Sequence, residues 1–349
     1  MALSNFRNRV FMTAKSVSEP CTPRVRERLD TRECAELNAL SKLNDWEADY
    51  QQLGRGAFEG RFNLYQSERL RVTDQTCNQE MAVAGVCPAD EIPLFLVTNK
   101  AERGSFNGKR LLENEAFVMR AGKEGFYRTP RDLRMINLQI PEPRLRAALR
   151  FMADSDLDEL IPDTRRVVLP TGSITRLTQL ADSMMGNLTD LADTDARGLW
   201  ELEAEEYLVT TLVSGLTAAG GTRSVTGRKN HLNYVAHARS YIDAHIGSPL
   251  GLETLAREVG VTLRTLETAF RRVYGTTPLR YVKARRLRAA RQRLLESSSF
   301  DESVTEVALD CGFSHLSYFA RDYRQLFGES PSETLRGREI LGSEILGSE

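Results

Sequence analysis

The stretch Val307-Ala308-Leu309-Asp310-Cys311-Gly312-Phe313, followed by Tyr318-Phe319-Ala320-Arg321-Asp322-Tyr323-Arg324 and Phe327-Gly328-Glu329-Ser330-Pro331-Ser332, decides how the last third of this 349-residue chain is read. Ala308 is small enough for a second helix to cross the first closely. Gly312, four residues on, suits the positive φ with which a helix often ends. Phe319, Tyr323 and Leu326 then recur at helical spacing and form the buried stripe of the second helix. An earlier copy stands upstream. Ala256 and Gly260 match Ala308 and Gly312 at a separation of 52 residues, and Leu266, Phe270, Gly275 and Pro278 match Phe319, Tyr323, Gly328 and Pro331 at 53. The second helix of that copy buries Leu266, Phe270 and Val273. Two copies with shared landmarks read as two helix-turn-helix units, at about 252–274 and 304–327.

The faces turned away from the buried stripes carry Arg264, Thr265, Glu267, Thr268 and Arg271, with Arg272 alongside, in the first copy. In the second they carry His315, Ser317, Arg321 and Arg324. Arg is the commonest reader of guanine, and Ser and Thr contact bases or phosphates, so these faces point to DNA. Pro278, a good first helical residue, opens a helix to about Glu296. Arg280, Lys283, Arg285, Arg286, Arg288, Arg291 and Arg293 fall in it before any acidic residue. At 1.5 Å per residue such a helix is about 28 Å long, of the order of one duplex turn, ~34 Å. It could set two recognition helices in successive major grooves. Its basic run would meet phosphates, with Lys283 and Arg286 as candidates.

The net charge of -1, from 47 Lys+Arg against 48 Asp+Glu, seems to argue against such a partner. It is an average. Residues 228–338 hold 18 basic and 12 acidic residues, whereas 1–227 hold 29 and 33 and the last eleven hold three acids. The positive charge is segregated with the repeat, and the sign changes near a small, polar stretch, Ala218-Ala219-Gly220-Gly221-Thr222, which reads as a linker over 218–230. All four histidines lie at 231 or beyond, which removes most zinc, non-haem iron and Ser-His-Asp chemistry from the first two thirds. No catalytic or metal-binding residue and no cofactor is assigned, and an enzyme is not expected. The five cysteines form no C-x-x-C pair and read as free thiols in a reducing, cytoplasmic setting. No apolar run is long enough to span a bilayer, so no membrane role is expected.

The fold class expected is α+β. Residues 1–50 read as a polar N-terminal extension. Residues 51–217 read as short strands with Gly and Asn turns, such as Phe106-Asn107-Gly108-Lys109, making a small barrel or sandwich. A helical pair closes this region, with apolar stripes Ile174, Leu177, Leu180, Met184, Leu188, Leu191 and Leu199, Leu202, Leu208, Leu212, Leu216. The pair is either core or a dimer seam. Residues 231–338 read as all-helical, and 339–349 as a loose tail.

At the level of these motifs the C-terminal block resembles the double helix-turn-helix domain of AraC/XylS-type transcription regulators, and its ending is most similar to the XylS branch. The resemblance implies DNA contact by the outward residues, with Arg264, Thr268 and Arg321 foremost at base edges. Glu267 departs from the polar or basic residue often found there. More weakly, residues from about Arg61 to Leu149 look similar to a cupin-like ligand-binding domain. That implies a cupin-like β-barrel binding a small effector, an aromatic or other organic acid, in a homodimeric activator that meets promoter DNA and RNA polymerase. The alternative is a first domain that only dimerises or binds a protein. Effector-binding residues are not assigned. Arg61, Arg71, Arg128 and Arg134 could meet a carboxylate or sit at the surface. Phe58, Phe62, Phe95, Phe117, Phe126 and Tyr127 could line a pocket or simply form core.

Overall fold

The computed structural model describes residues 25–43, 46–98, 104–112, 115–163, 165–170, 172–186, 194–218, 222–224, 229–296 and 303–336. The expected tail, most of the expected linker, Cys21, Leu188 and Leu191 lie outside them.

The N-terminal part is built on two antiparallel sheets. The larger runs β1(Val25–Thr31), β3(Gly60–Gln66), β4(Arg71–Cys77), β11(Leu133–Pro141), β6(Glu91–Val97), β9(Glu115–Val118), β12(Arg165–Val168), β13(Thr222–Ser224). The smaller runs β2(Glu47–Gln52), β5(Met81–Val86), β10(Glu124–Arg128), β7(Ser105–Phe106), β8(Lys109–Arg110). The expected barrel or sandwich is realised as two sheets that do not close into a barrel. Among the described residues the ladders end at β1, β13, β2 and β8, and no strand pairs across from one sheet to the other. The expected N-terminal extension also differs, because residues 25–50 supply β1, α1(Cys34–Leu43) and most of β2, and β1 pairs with β3 over its full length. The expected linker stretch likewise supplies β13, which pairs with β12.

The larger sheet is buried on both faces. Val72, Leu94, Leu96, Ile136, Leu138 and Ile140 point to one side, where they pack under α2(Glu142–Ala153), α3(Leu157–Leu160), α4(Ser173–Met185) and α5(Thr194–Thr217). Phe95, Val97, Phe117 and Met135 alternate to the other side and meet the smaller sheet. This two-sided burial explains why β6 reads as an almost unbroken apolar run. Leu177, Met184, Leu208, Leu212 and Leu216 of the helical pair are buried in this same core, and Tyr65 of β3 donates from its hydroxyl to the buried Glu205 of α5 at 2.8 Å.

The C-terminal part is six helices: α6(Lys229–Ala244), α7(Leu252–Val259), α8(Leu263–Tyr274), α9(Pro278–Glu296), α10(Val304–Asp310) and α11(Leu316–Phe327). Gly260 and Gly312 take φ of 74° and 80° after α7 and α10, a left-handed turn that a side chain would strain. Thr262 caps α8 by accepting from the Thr265 amide, and Ser303 with Glu306 forms a capping box on α10.

The two parts share a seam, the outer face of the smaller sheet. Ala82, Ala84 and Phe126 share one buried cluster with Val235, Ala238 and Ile242 of α6 and with Phe270, Val273 and Tyr274 of α8. Phe126 meets Tyr274 edge to face at 6.0 Å. Beside it, Asp49 of β2 pairs with Arg239 at 3.2 Å, Arg285 at 2.5 Å and Arg288 at 2.6 Å. Burial opposes ionisation of this carboxyl, but the three guanidinium groups outweigh it and hold the group well below the usual carboxylate range. Glu33 pairs with Arg291 at 2.6 Å, and the Gln52 side chain donates to the Leu326 carbonyl at 2.7 Å. Contacts thus reach both helix-turn-helix units. Phe126→Ala should cost about 3 kcal/mol and let the two parts unfold separately in urea. A single transition at the wild-type midpoint would contradict the seam.

Candidate nucleic-acid interface

Each recognition candidate is placed by the helix that carries it. On α8 the buried stripe Leu266, Phe270, Val273 anchors one side, and Arg264, Arg271 and Arg272 are exposed on the rest. Thr265 and Glu267 are half-buried. Thr265 shares a 2.9 Å hydroxyl contact with the cap residue Thr262, so it supports the start of the helix. Thr268, also half-buried, donates from its hydroxyl to the Arg264 carbonyl at 2.8 Å. Arg272 lies at the edge of the seam, because a Cβ built on Gly108 of the β7–β8 turn would come within 3.1 Å of its carbonyl oxygen.

On α11 Phe319, Tyr323 and Leu326 are buried, and His315, Ser317, Arg321 and Arg324 are exposed. His315 is the N-cap residue and caps no amide with its ring. The Arg321 guanidinium lies over the Tyr318 ring, 4.8 Å from its centroid. Tyr318 is 56% exposed and is a member of this surface that the sequence reading left unassigned. Its position three residues before Arg321 is the signal that places it beside that side chain. Arg324 pairs with Glu333 at 3.1 Å. Hydrogen bonds from the Ser330 amide and hydroxyl, and after them Arg324, hold the Glu333 carboxyl down to about 2. The acid is therefore charged at neutral pH and competes with any phosphate for Arg324.

The basic run of α9 is disposed differently from its expected use. Arg285, Arg288 and Arg291 face acids of the N-terminal part, as described, and do not form an open cationic stripe. Arg286 donates to the carbonyls of Ile246 at 3.0 Å and Gly312 at 2.9 Å, and to that of Ser248. It ties the loop after α6 to the turn of the second unit. Lys283 is exposed but pairs with Asp322 of α11 at 2.7 Å. The helix acts as a strut between the two units and as the partner of the N-terminal acids. A cation run is read as free charge only until its counter-charges, distant in sequence, are known.

Residues 255–337 match a family model described as a helix-turn-helix domain. The probable thc operon regulatory protein of Rhodococcus erythropolis is 46% identical over 99 residues, 28% of this chain and 30% of that protein. The XylDLEGF operon transcriptional activator 3 of Pseudomonas putida is 42% identical over 100 residues, 29% of this chain and 30% of that protein. The chain thus spans only 30% of the length of these two relatives. The transcriptional activator RhaS of Citrobacter koseri is 30% identical over 200 residues, 56% of this chain and 67% of that protein, so the likeness extends beyond the helical block. Among the described residues no helix is long and apolar enough to cross a membrane. With two units that each turn on a positive-φ glycine, second helices whose outward arginines are exposed, and a relative of this kind matched over two thirds of its length, the chain belongs to the AraC/XylS family of helix-turn-helix transcription regulators.

Proposed function

We propose that the chain is a ligand-responsive transcription activator that reads two successive major grooves of promoter DNA with α8 and α11. The observation that carries this reading is the exposure of the recognition faces while the opposite side of the helical block is covered. Arg264 and Arg271 on α8, and Ser317 and Arg321 on α11, remain open although the N-terminal part packs on the same block. A strut of 19 residues joins the two units, about 28 Å of helix and near one duplex turn. Arg321, held over Tyr318, is the candidate for a guanine edge, and Arg264 is its counterpart on α8. Arg271 and Arg272 suit phosphate contacts. RNA polymerase is the partner expected of an activator. A homodimer is supported by the exposed apolar groups Leu199 and Tyr207 on α5.

Mapping the chain's genomic binding sites tests this reading directly: paired half-sites one helical turn apart are expected, and a single short site would overturn the two-groove part. On such a site Arg321→Ala should cost about 1–3 kcal/mol of specific binding and relax preference at one base pair. Unchanged affinity would remove α11 from the groove. Arg271→Ala should lower the slope of log K against log salt by about one, whereas Arg288→Ala should leave the slope as it is. A slope that falls equally with both would return α9 to the phosphate backbone.

A further inference from the structure

Between the two sheets lies a cavity of about 80 Å³. The strand alternation that fills the core also lines it, with Phe62, Phe95, Phe117 and Tyr127 among the walls. Phe95 stacks on Phe117 at 4.5 Å, and Phe117 on Phe106 at 4.0 Å, so three of the lining rings form one aromatic stack. Three polar atoms of lining residues, Asn137 Oδ1, Tyr127 Oη and Trp46 Nε1, are buried without a hydrogen-bond partner. Asn137 and Tyr127 are 7% and 5% exposed. A buried polar group left unpaired costs free energy comparable to a lost hydrogen bond, and a bound water or ligand would satisfy it.

The described lining residues include no charged side chain. The four arginines that could have met a carboxylate are engaged elsewhere: Arg61 with Asp30, Arg71 with Glu91, Arg128 with Glu80 and Arg134 with Asp74. A carboxylate carried into this space would lose its water with no cation to replace it, which is strongly unfavourable. We propose that the cavity is the ligand site and takes an uncharged single-ring aromatic bearing a hydrogen-bonding group, such as a phenol or a nitrogen heterocycle, and not an organic acid. This rests on the ligand-responsive reading above. The ligand ring packs against the phenylalanine stack, and the substituent donates to Asn137 Oδ1 or accepts from Trp46 Nε1 and Tyr127 Oη.

The size of the cavity adds a consequence. It is about half the ~150 Å³ that holds benzene in an engineered core, so a ring can be seated only if the walls move apart. Ala48 and Tyr50 of β2 belong to those walls, and Asp49 between them binds Arg239, Arg285 and Arg288 of the helical block. Ligand binding therefore acts on the seam through one strand.

The test uses the full chain carrying Trp200→Phe, which leaves Trp46 as the sole tryptophan of two. Phenol and benzoate are titrated at neutral pH. Saturable change of Trp46 fluorescence with phenol and none with benzoate is expected. Asn137→Leu should weaken phenol about tenfold. Gly85→Ala, whose methyl would sit in ordinary contact 3.5 Å from the Ala48 Cβ, should also weaken it while the fold is kept. Benzoate binding as well as phenol would overturn the ligand class. Binding that ignores both variants would overturn the site, and so would no binding of either probe or of pyridine. If phenol binds as expected but affinity for a mapped DNA site does not change, the cavity assignment stands and the ligand-responsive reading fails.

Discussion

The small sheet has two buried faces and must satisfy both with one sequence. Side chains of a strand alternate, so each residue is committed to one face by the register. In β2, Ala48 and Tyr50 line the cavity and Asp49 meets the arginines. In β5, Val83 and Gly85 face inward, while Ala82 and Ala84 lie under the helical block. In β10, Gly125 and Tyr127 face inward, while Phe126 packs on Tyr274. A slip of one residue would put the Asp49 carboxylate among aromatic rings and Tyr50 against three guanidinium groups. The register is thus fixed from both sides, and the N-terminal part and the helical block are joined through a layer about one strand thick.

How much of this was legible in the sequence follows from how local each signal is. The helix-turn-helix units were legible because Ala256 with Gly260 and Ala308 with Gly312 fix a turn within a few residues, and the repetition doubles the signal. The outward arginines followed from the buried stripes. The strands β1 and β2 were not legible, because Val25–Thr31 and Glu47–Gln52 are polar and their partners lie elsewhere in the chain. Asp49 looks like a surface acid until Arg285, 236 residues away, is placed beside it. The same non-local pairing explains why the α9 arginines read as a phosphate track. The aromatic candidates separated only with the register in hand: Phe62, Phe95, Phe117 and Tyr127 line the cavity, and Phe126 lies on the other face.

The charge segregation between the two parts of the chain accordingly has two effects. Part of it is neutralised across the seam, where Glu33, Asp49 and Glu124 take up cations of the helical block. Arg264, Arg271, Arg272, Arg321 and Arg324 stay exposed on α8 and α11. A near-neutral protein can therefore keep exposed arginines on two helices, while cations held by its own acids are less available to other anions.

Asp49 and the helical block are energetically one unit. A double-mutant cycle on urea unfolding, with Asp49→Asn and Arg285→Gln alone and together, measures it most directly. A coupling of about 1–3 kcal/mol is expected between the two sites, 236 residues apart in sequence. Additivity within about 0.5 kcal/mol would contradict it.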